Sequence, residues 1–168
     1  RKLRGEQDVR VVAVEPANCP SLTKGKYTYD FGDTGQMTPL VKMHTLGSSF
    51  VPPSSHAGGL RYHGMAPLVS QLVGLGEVQP TAYSQTECFD AGVTFAKAEG
   101  ILPAPEANHA VKGALVEAMR CKEEGESRAI LFNLCGHGYF DMQAYMDYSS
   151  GKLADHPYDE AEVAMALA

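Results

Sequence analysis

The sequence predicts an α/β protein with a mostly parallel sheet and helices on both faces. Two apolar, β-branched runs predict buried strands at residues 9–14 and 128–134. Patterns of helical period lie between them, and this alternation of strands and helices is typical of the class. The second run leads into a turn framed by Gly136 and Gly138, and open α/β sheets bind ligands at the carboxyl ends of such strands.

Helix signals fill the second half of the chain. Ser84 or Thr86 can cap the N–H groups of a helix start, and Pro105 fits a first turn. Gly100 and Gly125 can end helices because glycine readily adopts the left-handed conformation. The elements predicted here are a helix at 66–73, a strand at 78–83, and helices at 84–99, 104–122 and 141–148.

Residues 17–60 are rich in Gly, Pro, Ser, Thr and Asn, and only residues 27–31 alternate as a strand would. Irregular segments of this length are commonly functional. Beyond residue 150 the chain carries several acidic residues and few aromatic ones. We therefore predict a domain over residues 1–150 and a loosely packed acidic tail over residues 151–168.

Composition excludes several classes of partner. Of the 168 residues, 44% are hydrophobic and 20% are charged, as in soluble globular proteins. The net charge of −6 argues against a nucleic-acid partner. No apolar run approaches the roughly 20 residues that span a bilayer, and no signal peptide is evident, so we predict a cytoplasmic protein. The four cysteines form no C-x-x-C pair, which favours reduced thiols over disulfides or a zinc site.

Glu106 follows two prolines, on the first turn of a predicted helix, where unpaired N–H groups favour a carboxylate. Many such glutamates only stabilise their own helix. Glu106 and His109 are one helical turn apart and could both face a metal, but a histidine with its hydrogen bonds satisfied is the more common arrangement.

Cys135 ends the predicted strand at 128–134, where a small residue usually serves packing. Gly136 and Gly138 suggest instead that the backbone comes close to another group or adopts positive φ. Between them, His137 could be a general acid or base, or a turn residue bonded to backbone. The residues alone leave these alternatives open.

Four motifs, in order, resemble the tryptophan synthase beta chain family. They are Val-Glu-Pro at 14–16, His-Ala-Gly-Gly-Leu-Arg-Tyr-His-Gly-Met-Ala-Pro at 56–67, Glu-Gly-Ile-Leu-Pro-Ala-Pro-Glu-Ala-Asn-His-Ala at 99–110, and Phe-Asn-Leu-Cys-Gly-His-Gly at 132–138. Tyr-Asp-Phe-Gly-Asp at 29–33 and Phe-Val-Pro-Pro at 50–53 resemble its beta-2, or beta-like, subtype. The resemblance covers about residues 8–150, and it implies that residues 1–150 are the C-terminal part of a pyridoxal-phosphate enzyme domain of fold type II.

The resemblance implies an enzyme that uses pyridoxal 5'-phosphate to join L-serine and indole to L-tryptophan by β-replacement. Glu106 matches the glutamate that handles protons on indole and helps the serine hydroxyl leave. Cys135 matches, in place of the usual serine, the residue that faces the pyridine nitrogen of the cofactor. Gly136 and Gly138 would shape the turn beside the ring.

The resemblance also implies a monovalent cation, Na⁺ or K⁺, held by the backbone carbonyls of Glu15, Tyr62 and Gly64. Arg61 stands where ordinary beta chains carry an aspartate near the substrate, and this departure bears on which amino donor is preferred. The family implies a homodimer as the full-length protein. The beta-2 features favour a weak or absent contact with an alpha subunit.

The lysine that holds the cofactor and the glycine-rich phosphate loop are not found. In the family this lysine lies in a histidine-lysine motif, and none of the eight lysines here has that context. We therefore interpret the chain as the C-terminal portion of the enzyme, inactive alone. The alternatives are another fold type II enzyme, such as a serine or threonine deaminase or a cysteine-synthase-like enzyme, and a non-catalytic stand-alone polypeptide. The eight lysines are Lys2, Lys24, Lys26, Lys42, Lys97, Lys112, Lys122 and Lys152.

Overall fold

The computed structural model describes residues 4–6 and 8–167, so Lys2 lies outside the described residues. Two 3-10 turns, Gly58–Leu60 and Gly138–Phe140, accompany the regular elements. The strands are β1 (Val12–Pro16), β2 (Lys26–Phe31), β3 (Leu40–Thr45) and β4 (Gln79–Tyr83). The helices are α1 (Pro67–Gly74), α2 (Gln85–Glu99), α3 (Pro105–Glu124), α4 (Met142–Ser149) and α5 (Glu160–Ala166).

The predicted helices are confirmed as α1 to α4, and the predicted strand at 78–83 is confirmed as β4. Ser84 caps α2: its hydroxyl accepts the Glu87 N–H, and the Glu87 carboxylate accepts the Ser84 N–H at 3.0 Å. Gly100 and Gly125 end α2 and α3 in the left-handed conformation, with φ of 70° and 68°. These helix ends follow from local sequence.

The predicted strand at 128–134 is wrong, because these residues form no strand and Leu131 is 97% exposed. A strand needs a neighbour whose N–H and C=O groups pair with its own. None of the described strands pairs with this segment. Most of this segment is therefore exposed, while Phe132 packs edge to face on Phe95, with ring centroids 5.7 Å apart.

The described residues form two compact units. The first contains residues up to Pro53, Arg61–Ala82 and the chain from Pro157 onward. The second contains Ser54–Leu60 and Tyr83–His156. Each unit has its own cluster of buried apolar side chains.

In the first unit, β1 pairs with β4 and β2 pairs with β3. The second pair is antiparallel, with Lys26 opposite Thr45 and Phe31 opposite Leu40. Sequence analysis found the β2 alternation but missed β3, because the segment between the two strands is rich in turn-forming residues. The α/β class holds, and the described strands form two separate two-stranded sheets, one of them the antiparallel β2–β3 pair.

The acidic tail is not loosely packed. Val163, on α5, is buried in one cluster with Cys19, Leu46 and Phe50. Asp159 begins α5 by accepting the N–H groups of residues 161 and 162. The prediction weighed the charge of this segment and overlooked this helix start.

Glu15 anchors the loop that follows β1. Its carboxylate is buried and accepts hydrogen bonds from the Leu22 N–H at 2.8 Å, the Thr23 N–H at 2.7 Å and the Thr23 hydroxyl at 2.6 Å. The Ser21 hydroxyl adds a longer bond of 3.4 Å. Burial raises the pKa of Glu15, while these donors act in the opposite direction.

In the second unit, α2 packs on α3. A Cβ at Gly92 would overlap the Asn108 side chain, so the close contact of the two helices requires glycine. Phe89 packs edge to face on Tyr145, with ring centroids 4.9 Å apart. Asp155 binds the start of α2, accepting the N–H of Thr86 at 2.9 Å. Within the described residues, no helix combines the length and the apolar character needed to cross a membrane.

Glu15→Gln is expected to lower the free energy of unfolding by about 1–3 kcal/mol, because a buried N–H loses its acceptor. Each carboxylate oxygen accepts one backbone N–H, so the amide nitrogen of glutamine faces a donor in either orientation. Urea unfolding of the protein measures the loss. Glu99→Gln, at the exposed end of α2, removes the same charge and should change stability by less than about 0.5 kcal/mol. Equal stability of the two variants would contradict this account of Glu15.

Candidate functional site

The segment that leads into α3, residues 102–104, and the glycine-framed turn after Cys135, residues 136–138, lie side by side in the second unit. The Ala104 N–H donates to the Gly136 carbonyl at 2.9 Å, and the Gly138 N–H donates to the Leu102 carbonyl at 2.8 Å. Pro103 and His137 form the bridge between these bonds. The turn at 135–138 therefore lies directly beside the start of α3.

Glu106 lies in the first turn of α3, and one of its oxygens is held. Oε1 accepts the Gly59 N–H at 2.9 Å. A Cβ at Gly59 would lie 3.3 Å from Glu106 Cγ and Oε1, which is tighter than ordinary contact. Among the described residues, Oε2 has no hydrogen-bond partner. The side chain is thus anchored at one oxygen, with the other available for proton transfer.

Cys135 is exposed, whereas Cys19, Cys88 and Cys121 are buried. All four are free thiols. The thiol of Cys135 is therefore the one that a ligand of this turn could reach.

The two glycines of the turn serve close approach rather than positive φ. Neither Gly136 nor Gly138 has a positive φ. A Cβ at Gly138 would lie 2.5 Å from the Pro103 carbonyl oxygen and 2.9 Å from Cε2 of Tyr145. A Cβ at Gly136 would meet only the Ala104 Cβ, at 3.1 Å. Of the two alternatives left open by the sequence, the structure selects the first.

The histidines of this region have local partners. Nδ1 of His137 accepts the Tyr139 N–H at 3.3 Å, which matches a turn residue bonded to backbone. His109 is buried, and its Nδ1 bonds to the Pro105 carbonyl at 2.9 Å. Burial lowers the pKa of His109 and favours the neutral ring. The described residues hold no group of three or more side chains that could bind a metal, so the Glu106 and His109 pair gains no support.

The three residues predicted to hold a cation all belong to the first unit. The Tyr62 carbonyl accepts the Cys19 thiol at 3.0 Å. Burial and then the Glu15 charge raise the pKa of Cys19 to about 11, so this thiol stays protonated at neutral pH. Gly64 bridges Thr45. The Glu15 side chain is committed to its loop, and its backbone belongs to β1, which pairs with β4.

Sequence analysis missed a buried polar network beneath the turn. The Tyr145 hydroxyl donates to the Pro103 carbonyl at 2.6 Å and accepts from Asn108 Nδ2 at 2.9 Å. Asn108 is buried on α3 together with the apolar Ala107 and Val111. A polar residue at a core position was the signal that could have revealed this network.

Gly138→Ala is expected to destabilise the protein by about 1–3 kcal/mol, because the methyl group would overlap the Pro103 carbonyl and the Tyr145 ring. Gly136→Ala meets one methyl group and should cost less than about 1 kcal/mol. Both changes restrict the unfolded chain alike, so their difference in urea unfolding isolates the overlap. The reverse order of stability would refute the packing described for this turn.

Curated relatives place the chain in a family. It is 60% identical over 156 residues to tryptophan synthase beta chain 2 of Aquifex aeolicus, covering 91% of this chain and 36% of the relative. The same-named proteins of Methanosarcina mazei and Thermotoga maritima are 57% and 59% identical over 90% and 86% of this chain, and 34% of each relative is covered. No protein-family model matches the chain.

A solved structure agrees with the predicted fold class. A fungal L-serine ammonia-lyase from Rhizomucor miehei superposes with a TM-score of 0.60 over 87% of this chain and 42% of that chain, at 18% identity. This likeness concerns the fold, and it confirms the α/β class predicted from the sequence. The chain spans about a third of the length of the curated relatives it matches. With more than half of its residues identical to theirs over about nine-tenths of its length, it belongs to the tryptophan synthase beta chain family as a segment of that protein.

Proposed function

We propose that this chain forms the acid–base side of the active site of a pyridoxal-phosphate-dependent tryptophan synthase beta chain 2. The complete enzyme joins L-serine and indole to give L-tryptophan and water. One observation carries the proposal. Glu106 lies in the first turn of α3 and is anchored at one oxygen, and the residues that lead into this helix are hydrogen-bonded to the turn that carries the exposed Cys135. The relatives named for this activity support it.

The residues of the turn fit one edge of the cofactor. Cys135 supplies an exposed thiol, and Gly136 and Gly138 keep side chains out of the space beside it. A thiol is a weak donor and acceptor, so it does not hold a proton on the pyridine nitrogen as a carboxylate would. The lysine and the phosphate loop that complete the site belong, in this proposal, to residues beyond the 168 of this chain.

Pyridoxal phosphate, when bound, supplies an electron sink that labilises bonds at the α- and β-carbons of an amino acid. Glu106 supplies the proton transfers. Its Oε2 gives a proton to the serine hydroxyl oxygen, which leaves as water, and takes one from the attacking carbon of indole. The Gly59 N–H on Oε1 keeps the carboxyl group in one orientation during both transfers.

The remaining assignments extend the same proposal. A monovalent cation, Na⁺ or K⁺, binds the backbone carbonyls of Glu15, Tyr62 and Gly64. The full-length protein is a cytoplasmic homodimer that uses free indole and has a weak or absent contact with an alpha subunit. The beta-2 names of the relatives support the subtype on which these assignments depend.

Glu106→Gln in the full-length enzyme should lower the rate of indole coupling by about 10²-fold or more, because glutamine cannot transfer the proton. Glutamine keeps an oxygen for the Gly59 N–H, so the fold should persist. Serine deamination, followed as pyruvate release, needs Glu106 only for the departure of the hydroxyl, whereas coupling also needs the proton transfer from indole. Deamination should therefore fall as well, but at least about tenfold less than coupling.

Glu123→Gln, in the exposed last turn of α3, is the matched control and should leave both rates unchanged. Equal losses of coupling and deamination in Glu106→Gln would reject the indole role. They would favour a deaminase-like enzyme of the same fold.

A further inference from the structure

We propose that Tyr145 is a positioning residue of this site, holding the start of α3, and with it Glu106, in register with the turn at 135–138. The proposal rests on the proposed function for its catalytic consequence. Its structural part stands on contacts within the second unit alone.

The Tyr145 hydroxyl forms hydrogen bonds with one residue before Glu106 in the sequence and one residue after it. It donates to the carbonyl of Pro103, before the helix, and accepts from the side chain of Asn108, one turn into it. Tyr145 is 6% exposed and Asn108 is fully buried. Both bonds are therefore shielded from water, where they hold geometry most strongly.

The Tyr145 ring contacts the turn itself. A Cβ added to Gly138 would lie only 2.9 Å from Cε2 of Tyr145. The ring therefore packs directly against the backbone of that glycine. One side chain thus touches both stretches that form the candidate site. Pro103, its hydroxyl partner, also bridges His137 across the pairing.

The start of α3 has no side-chain cap of its own. Ala104 occupies the N-cap position and Pro105 follows, so no hydroxyl or carboxylate accepts the first helical N–H groups from that position. The helix start is held by the Gly136 carbonyl and by the Tyr145 bonds. Phenylalanine would fill the same space without the cost of burying a hydroxyl, so we infer that the hydroxyl serves geometry.

Tyr145→Phe in the full-length enzyme should leave the Pro103 carbonyl and Asn108 Nδ2 without partners. Local opening should then become easier, and hydrogen exchange at the Ala104 and Gly138 amides should rise by about tenfold. The ratio of indole coupling to serine deamination should fall in the same direction as in Glu106→Gln. If Tyr145 acts through Glu106, the double variant should show the ratio of Glu106→Gln alone.

Two controls separate positioning from plain stability. Tyr148→Phe removes a hydroxyl from the same helix, one that binds Asp90 at the surface at 3.1 Å, and should change neither readout. Phe89→Leu weakens the packing on Tyr145 but leaves its hydroxyl bonds. It should lower global stability without lowering the coupling ratio.

The proposal would be overturned if the amides of Ala104 and Gly138 exchanged hydrogen in Tyr145→Phe at the same rate as in the wild type. A coupling ratio that falls in Phe89→Leu as much as in Tyr145→Phe, in step with global stability, would also overturn it. If Glu106→Gln itself left the ratio unchanged, the proposed function would fail, and amide exchange would still decide whether Tyr145 holds the two stretches together.

Discussion

The candidate site depends on one short backbone pairing, between residues 102–104 and residues 136–138. Two N–H to carbonyl bonds of 2.9 and 2.8 Å join segments more than thirty residues apart. The pairing is possible only because Gly138 lets the Pro103 carbonyl approach. Without it, the start of α3 and the Cys135 turn would be two unrelated loops.

This backbone pairing fixes the position of Glu106, a residue whose side chain is otherwise flexible. A glutamate side chain has considerable rotamer freedom, and fixing it costs entropy. Here the helix start fixes the backbone of Glu106, and the Gly59 N–H fixes one oxygen. Only the remaining oxygen is left for chemistry. This division of roles gives a carboxylate both a defined position and a reactive atom.

The sequence predicted the features that depend on neighbouring residues and missed those that depend on residues far apart in the chain. The ends of α2 and α3 were visible because Ser84, Pro105, Gly100 and Gly125 act on their immediate neighbours. Glu106 and the Cys135 turn were visible as motifs. The segment at 128–134 has the composition of a strand, but pairing needs a neighbour that composition cannot supply. The hydrogen bonds of Tyr145 join residues about forty positions apart, and no local sequence pattern indicates them.

In the proposed enzyme, this chain supplies the acid–base side of the site, and the lysine that holds the cofactor lies elsewhere. Borohydride trapping with pyridoxal phosphate, followed by peptide mass spectrometry, tests it directly on the 168-residue chain and on the full-length enzyme. We expect one stoichiometrically labelled lysine in the full-length enzyme, outside the 168 residues, and no specific label on the short chain. Stoichiometric labelling of any of the eight lysines of this chain would contradict it.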